Sequence, residues 1–447
     1  MQPDEAGLGG SVVDALLAWD SDGLVVALQR PPTGTPNGDV DVLVSPTDLT
    51  RAEASLRDAG WLMAPSAGHG SHRFWVLRDP GSGEWHHLDL VTSLDFGPTL
   101  AYRTRLAETC LARRRRRGGL PCLHPDDTFW LALLHQAWKD DTSPRRGRIL
   151  LAARHAAVDG PVADFLAGRL RGGTAELERL LAAVRREDWP AVSAVLSGVR
   201  RRWRRAHGPG VLAHHLRNTV LRRLPGREVP GETIALLGLD GAGKTTVGSR
   251  LHDEVPWPTV WMYMGVWTES RLDRLVRPVI GAQLVLRLGR LSRIAALTRY
   301  HRRMGRVVLL DRYVVDATLP SPDLDWKGRV SAVFVQRTAA VPDRLVFLDA
   351  PEEVAFARKG ELTFDEARDR REHYQALARS SPRWVTVDAA QPLDDVVAEV
   401  GRIVWDDLRV ERGSAEQSVV PVDGVTPQGE VAVVREGRDE LGRRLGS

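Results

Sequence analysis

Gly238-Leu239-Asp240-Gly241-Ala242-Gly243-Lys244-Thr245-Thr246 decides the fold of the C-terminal half of this 447-residue chain. The stretch satisfies G-x-x-x-x-G-K-[ST], and its surroundings matter more than the match. Thr233–Leu237 before it is a continuous apolar run, as expected of a strand buried on both faces. A helix is expected after it, from Thr245 to Val255. Glycines between a buried strand and a helix let backbone N–H groups converge on phosphate oxygens, and the helix N-terminus adds its partial positive charge. Gly238, Gly241, Ala242, Gly243, Lys244, Thr245 and Thr246 are therefore the expected ATP-binding set. In it Lys244 reaches the β- and γ-phosphates and the Thr245 hydroxyl ligates Mg²⁺. The alternative is a chance glycine-rich turn, which has no reason to keep strand, helix, Lys and Thr in register.

Working outward, strand-like and helical segments alternate from Glu232 onward, as a parallel α/β sheet flanked by helices requires. Val307–Leu310 and Leu345–Leu348 read as two more buried strands, and 268–304 as a long helical stretch. Asp311 ends the first of these strands, where ligand sites of open α/β sheets lie. It is expected to hold Mg²⁺ through water or to orient the phosphoryl acceptor, with Arg312 beside it. The plainer reading of Asp311 and Arg312 is a strand-end ion pair.

These blocks together resemble thymidylate kinases over about 232–408. GLDGAGKTT at Gly238–Thr246 looks like that family's phosphate loop. Gly305–Tyr313 resembles its strand ending in Asp-Arg-Tyr, and Pro342-Asp343 leading to Leu348-Asp349-Ala350-Pro351-Glu352-Glu353-Val354-Ala355 resembles a third block. The resemblance implies ATP- and Mg²⁺-dependent phosphoryl transfer to a nucleoside monophosphate or related phosphorylated small molecule, nominally dTMP. It also implies that Arg312 holds the acceptor's phosphate and that Asp240 contacts the acceptor nucleoside. Asp349 reads as structural, a cap before the helix at Pro351. Ala242 stands where some members carry arginine; members without it resemble the type that supplies transition-state cations from a lid. Arg358-Lys359-Gly360-Glu361 offers such a lid, with Gly360 as hinge. Thr363 and Glu366 form a capping box for the following helix, which carries Arg368, Arg370 and Arg371. Arg358 and Lys359 are the first candidates, Arg368 and Arg371 the next; the plainer reading is a solvated basic face. One departure stands out: the family's Arg-Glu-Pro-Gly-like segment after the second strand (here Thr259–Met264) is replaced by Gly265-Val266-Trp267-Thr268-Glu269-Ser270-Arg271.

The N-terminal part reads as a small α/β unit with a mixed sheet. Strands are expected at Leu24–Gln29, Asp39–Val44, 72–78 and 86–91, with a helix near 47–59. Asp39 and Asp41 lie at i and i+2 on one strand face, and Asp89 on another strand. Three such carboxylates can hold two Mg²⁺ ions and a triphosphate. Over about 22–160 this resembles the nucleotidyltransferase superfamily, although Gly34-Thr35-Pro36-Asn37-Gly38 stands in place of its Gly-Ser turn. The alternative is a degenerate or substrate-positioning unit. From His124-Pro125 a helix is expected through Lys139; His135 and Lys139 lie one turn apart and could approach a phosphate, the plainer reading being a packed His135 and a surface Lys139.

The length suggests roughly two or three domains. The expected division is 1–105 (nucleotidyltransferase-like), 106–229 (helical, Arg-rich), 230–411 (P-loop domain) and 412–447 (disordered tail). No apolar run reaches the ~20 residues needed to cross a bilayer, and the N-terminus lacks signal-peptide regions; a cytoplasmic location and no membrane partner are expected. Cys110 and Cys122 read as ordinary thiols. The net charge is only +4, and the basic residues are almost all arginine. Arg113–Arg117 reads as a solvated loop or helix end. No nucleic-acid motif accompanies the arginines, so nucleic acid is not an expected partner. A homodimer is compatible with the resemblance. Two other functions remain open: a nucleotidyltransferase acting on a small molecule with the kinase domain as nucleotide supplier, or an ATP-binding regulatory protein without efficient turnover.

Overall fold

A computed structural model describes residues 10–30, 40–138, 143–206, 208–224, 230–264, 282–315, 341–359 and 363–418. Asp39, Lys139, the segment from Gly265 to Arg271 and Gly360 lie outside the described residues.

The chain opens with α1 (Gly10–Ser21), β1 (Val26–Leu28), β2 (Val40–Val44), α2 (Leu49–Asp58), β3 (Leu62–Met63), β4 (Arg73–Arg78) and β5 (Trp85–Val91). Then come α3 (Ala107–Ala112), β6 (Arg115–Arg117) and β7 (Leu120–Cys122). These seven strands form one mixed sheet in the order β3-β4-β5-β2-β1-β7-β6. Side-chain alternation sorts its two faces. Val42, Leu88 and Leu90 pack with Trp19 and Leu16 of α1 and Leu56 of α2. Leu43 and Val91 face the other way, into a core shared with the helices that follow. The helix α1 has no counterpart in the sequence reading. Its signal was present: Val12, Val13, Leu16 and Trp19 recur at helical spacing and are all buried.

The five-arginine run also differs from expectation. Arg115–Arg117 is an edge strand, paired antiparallel with Leu120–Cys122. Gly118 and Gly119 both take positive φ, 58° and 81°, the geometry a two-residue hairpin demands. The turn signal prevails because an edge strand leaves all three arginine side chains in water, where like charges repel weakly. Arg116 is ion-paired with Asp20.

Six helices follow: α4 (Pro125–Gln136), α5 (Ser143–Ala153), α6 (Pro161–Ala167), α7 (Gly173–Arg185), α8 (Trp189–Ala206) and α9 (Gly208–Leu221). In α4, Asp127 is fully buried, with its carboxylate 3.6 Å from Arg113 Nε. Burial pushes its carboxyl up to about 6 against the pull of Arg113. The folded protein therefore holds this proton more tightly than the unfolded chain does. The stabilisation is complete below the unfolded value and is lost as pH rises through about 6. Asp127→Asn is expected to raise Tm by a few degrees at about pH 7.5 and by less at about pH 5, read by thermal denaturation at both.

The second half contains β8 (Thr233–Gly238), α10 (Lys244–Glu254), β9 (Thr259–Tyr263), α11 (Ala282–Arg303), β10 (Val307–Asp311), β11 (Arg344–Asp349), α12 (Glu352–Lys359), α13 (Phe364–Ala378), β12 (Trp384–Asp388) and α14 (Leu393–Ser418). Its five strands are all parallel, in the order β12-β11-β8-β10-β9. All six residues of β8 are buried, as its unbroken apolar run requires. Gly248 of α10 lies against Trp261 of β9 so closely that a Cβ would fall 1.5 Å from the indole. The helix α14 continues to Ser418, beyond 411 where a disordered tail was expected to begin; residues 419–447 lie outside the described residues. Its Val396, Val400 and Val404 repeat at helical spacing and are buried, which accounts for the first part of the helix.

The two sheets meet. Val76, Phe74 and Trp85 from β4 and β5 share a core with α10 and α14. Trp85 stands edge-on to Trp405 at 5.6 Å, and Arg78 Nη2 donates to the Ala398 carbonyl at 3.1 Å.

Candidate active site

Counted within its own sheet, β8 is the first strand and lies between the third, β10, and the fourth, β11. The chain reverses its direction of winding there, which opens a crevice at the strands' carboxyl ends. Three ends converge on it: Gly238 of β8, Asp311 of β10 and Asp349 of β11.

The loop between β8 and α10 is shaped by its glycines. Gly238 and Gly241 have φ of +141° and +95°. A Cβ would lie 2.6 Å from the Leu348 carbonyl oxygen at Gly238, and 2.4 Å from the Ala355 carbonyl oxygen at Gly241. Gly243, at φ +91°, would place its Cβ in open space, so this position demands backbone freedom alone. Gly243 caps α10, whose first residue is Lys244. The Lys244 ammonium is buried and donates to the Gly238 and Leu239 carbonyls, 2.8 Å each, with Asp240 at 3.8 Å. Thr245 Oγ1 donates to Asp311 Oδ2 at 2.8 Å, and Asp311 is itself buried. Two hard oxygen donors on adjacent elements at a helix N-terminus are a fitting donor set for Mg²⁺.

Arg312 follows Asp311 at φ +70°, a region that non-glycine residues seldom enter. This turns its side chain back toward the loop, where Nη2 donates to Asp240 Oδ1 at 2.5 Å. The structure thus places Asp240, Lys244, Thr245, Asp311 and Arg312 together.

The lid candidates separate. Arg358, exposed near the end of α12, donates from Nη1 to the Gly241 carbonyl at 3.4 Å and so lies beside the loop. Lys359 is the exposed last residue of the same helix. Arg368 pairs with Asp365 one turn back, out on the α13 surface. Arg371 is clamped by two carboxylates, Asp349 at 2.6 Å and Glu352 at 2.7 Å, which raise its pKa, the hydrogen bond it donates to Asp349 most. Gln375 adds a hydrogen bond to Asp349 at 3.1 Å. Asp349 therefore anchors α13 to the end of β11 instead of capping the helix at Pro351. The capping box of Thr363 and Glu366 is present and fixes where α13 begins. The Arg371–Asp349–Glu352 clamp escaped the sequence reading because its partners lie 22 and 19 positions apart with no local signature. Arg358→Ala is expected to lower kcat for phosphoryl transfer about 10–10³-fold, with ATP affinity changed far less. Steady-state kinetics with the two constants separated checks this.

In the N-terminal sheet, Asp41 and Asp89 are direct partners on the neighbouring parallel strands β2 and β5, and so point to one face. Asp41 is ion-paired with Arg30. Asp89 Oδ2 is 2.7 Å from His72 Nδ1, while its Oδ1 is buried without a hydrogen-bond partner. His72 and Arg30 were not singled out in the sequence. The signal for His72 is parity, since it precedes β4 on the face that carries Phe74, the partner of Asp89. His135 packs against Phe96, ring centroids 4.9 Å apart.

No family model matches the chain. Over about a third of its length it is similar, at low identity, to proteins named probable thymidylate kinase. That of Halorubrum lacusprofundi is 27% identical over 189 residues, covering 38% of this chain and 96% of the relative. That of Methanococcus aeolicus is 26% identical over 156 residues, covering 32% of this chain and 74% of the relative. Among solved structures, the thymidylate kinase of Candida albicans is 17% identical with a TM-score of 0.33, covering 40% of this chain and 93% of that one.

Proposed function

We propose that the protein is an ATP- and Mg²⁺-dependent kinase that transfers the γ-phosphoryl group to a nucleoside monophosphate, with dTMP the nominal acceptor. The observation that carries this is the contact of Thr245 with Asp311 at 2.8 Å, beneath a glycine loop that opens a helix. The similarity to proteins named thymidylate kinase supports the nucleotide class of acceptor.

Phosphoryl transfer asks a protein for positioning and charge neutralisation more than for covalent help. Backbone N–H groups at the start of α10 and Lys244 would hold the triphosphate. Thr245 and Asp311 would hold Mg²⁺, which supplies charge neutralisation at the phosphates. Arg312, now paired with Asp240, would exchange that partner for the acceptor's phosphate, leaving Asp240 to meet the nucleoside. Arg358 lies close enough to the loop to stabilise charge on the transferring group, with Lys359 next to it. Arg371 is better read as holding α13 in place, and Arg368 as part of that helix's solvated face. The test is transfer of label from γ-labelled ATP to dTMP, with dTDP as product; label released only to water would contradict the reading.

A second reading applies to the N-terminal unit, resting on the register of Asp41 with Asp89 and the unpartnered Asp89 Oδ1. A nucleotidyltransferase-like centre there would use Asp41 and Asp89, with Asp39, to hold Mg²⁺. Arg30 and His72 would then have to release or share those carboxylates. Nucleotidyl transfer from α-labelled NTP that survives Lys244→Ala and disappears in Asp41→Asn would support it; its survival in Asp41→Asn would remove it.

A further inference from the structure

The helix α9 is turned inside out relative to the usual amphipathic pattern. Two of its polar residues face inward: Asn218, 8% exposed, donates to the Thr99 carbonyl at 2.8 Å, and His215 Nδ1 lies 3.0 Å from Thr99 Oγ1. The helix approaches the loop at Gly68 so closely that a Cβ there would fall 2.5 Å from the Asn218 carbonyl oxygen. Val211 packs against the core of the preceding helices, but its other aliphatic residues from Leu212 to Val220 face outward. Leu212, Leu216, Val220 and, in the turn that follows, Leu224 are 57%, 54%, 50% and 53% exposed. They recur every four residues and make one stripe about 18 Å long at 1.5 Å per residue. Scattered exposed leucines need no explanation, but a continuous stripe on a helix whose polar side is buried does.

The charge around the stripe indicates what covers it. From Trp189 to Arg227 the chain carries nine arginines and neither an aspartate nor a glutamate. Arg217 and Arg223 lie exposed on the stripe's own face, and Arg201, Arg204 and Arg205 are exposed at the end of α8, just before α9 begins. A second copy of this chain packed through the stripe would oppose two acid-free arginine blocks. A nucleic acid would meet the arginines but leave the leucines against water. A surface of anionic headgroups over hydrocarbon satisfies both, with arginines at the phosphates and aliphatic side chains below them. No described helix is long and apolar enough to cross a membrane, and a helix lying in the interface has no need to be.

We propose that α9 is a peripheral membrane contact that docks the protein on anionic lipid through Leu212, Leu216, Val220 and Leu224 with Arg217 and Arg223. The docking is reversible and salt-sensitive, because four aliphatic side chains alone hold weakly and the arginines act within a Debye length of the surface.

Co-sedimentation of the full chain with vesicles tests it. Vesicles of phosphatidylcholine containing about one-third phosphatidylglycerol are expected to bind at least about ten-fold more protein than phosphatidylcholine alone, and less at high salt. Leu216→Gln with Val220→Gln changes only exposed side chains, so it should keep the wild-type melting temperature and kinase activity while losing most of the binding. Arg217→Gln with Arg223→Gln should lower binding and flatten its salt dependence. The proposal is overturned if wild-type protein ignores anionic vesicles, or if the folded Leu216→Gln/Val220→Gln variant binds as well as wild type. It is overturned equally if the stripe instead holds a dimer, seen by sedimentation velocity and lost in that same variant.

Discussion

On the proposed function, replacing Lys244 with alanine is expected to lower kcat for phosphoryl transfer by roughly 10²–10³-fold or more, the scale on which removal of one preorganised charge at a reacting group is felt. The Lys244 ammonium is buried at the start of α10 and donates to the Gly238 and Leu239 carbonyls at 2.8 Å. These are the carbonyls of the loop itself, so the cation is stored at the place where it would act. Alanine removes the charge and a donor shared by two carbonyls, of which that of Leu239 keeps the Ala242 N–H at 3.0 Å, so the stability cost is at most about 1–3 kcal/mol. Thermal denaturation must therefore accompany the kinetics. A folded Lys244→Ala protein that transfers phosphoryl groups at the wild-type rate would exclude the loop from the reaction.

Gly241→Val is expected to lower ATP affinity at least about 10²-fold and to destabilise the protein by several kcal/mol, since it combines two faults. Valine must adopt φ +95°, which β-branched residues scarcely enter, and its Cβ must occupy a point 2.4 Å from the Ala355 backbone oxygen. Backbone cannot step aside as a side-chain tip can, so α12 has to move away from the loop. Arg358 leaves with it, because Arg358 donates to the Gly241 carbonyl from that helix. Gly243→Ala is the informative contrast. It faces the same φ constraint with nothing within 4 Å of the new Cβ, so its cost is backbone strain alone, about 1–3 kcal/mol. Nucleotide titration and thermal denaturation of both variants should rank Gly241→Val well below Gly243→Ala; equal effects would mean that the α12 contact carries no weight.

The parts of this fold that can be read from sequence are those whose cause is local. Thr233–Leu237 is an apolar run bounded by a glycine loop, and nothing but a buried strand suits it. The capping box at Thr363 and Glu366 likewise states its own helix start. Asp41 of β2 and Asp89 of β5 could be assigned to strands, but their side-by-side register arises from pairing across 48 positions of chain. Similarly, the end of β10 meets Thr245 only because β8 and β10 are parallel neighbours, a choice that no short pattern encodes. Arg371 shows the limit most plainly. In sequence it is one of several arginines on a basic helix, equally suited to a lid; in three dimensions Asp349 and Glu352 hold it, and the neighbouring Arg368 is turned to Asp365. Arg115–Arg117 shows the converse: the local Gly118-Gly119 turn outweighs repulsion among the arginines and makes the run an edge strand. In α9 the aliphatic spacing is visible in sequence, but its outward direction is set by Asn218 and His215 reaching Thr99, over a hundred positions away.

The most direct measurement for the central claim is ADP formation from ATP and Mg²⁺ across a panel of acceptors that includes dTMP, the other nucleoside monophosphates and sugar phosphates. A kinase of the proposed kind releases ADP in proportion to one or more nucleoside monophosphates, yields the matching diphosphate, and loses both in Lys244→Ala. Tight ATP binding without acceptor-stimulated ADP release from any nucleoside monophosphate would contradict the account and leave the loop as a nucleotide sensor.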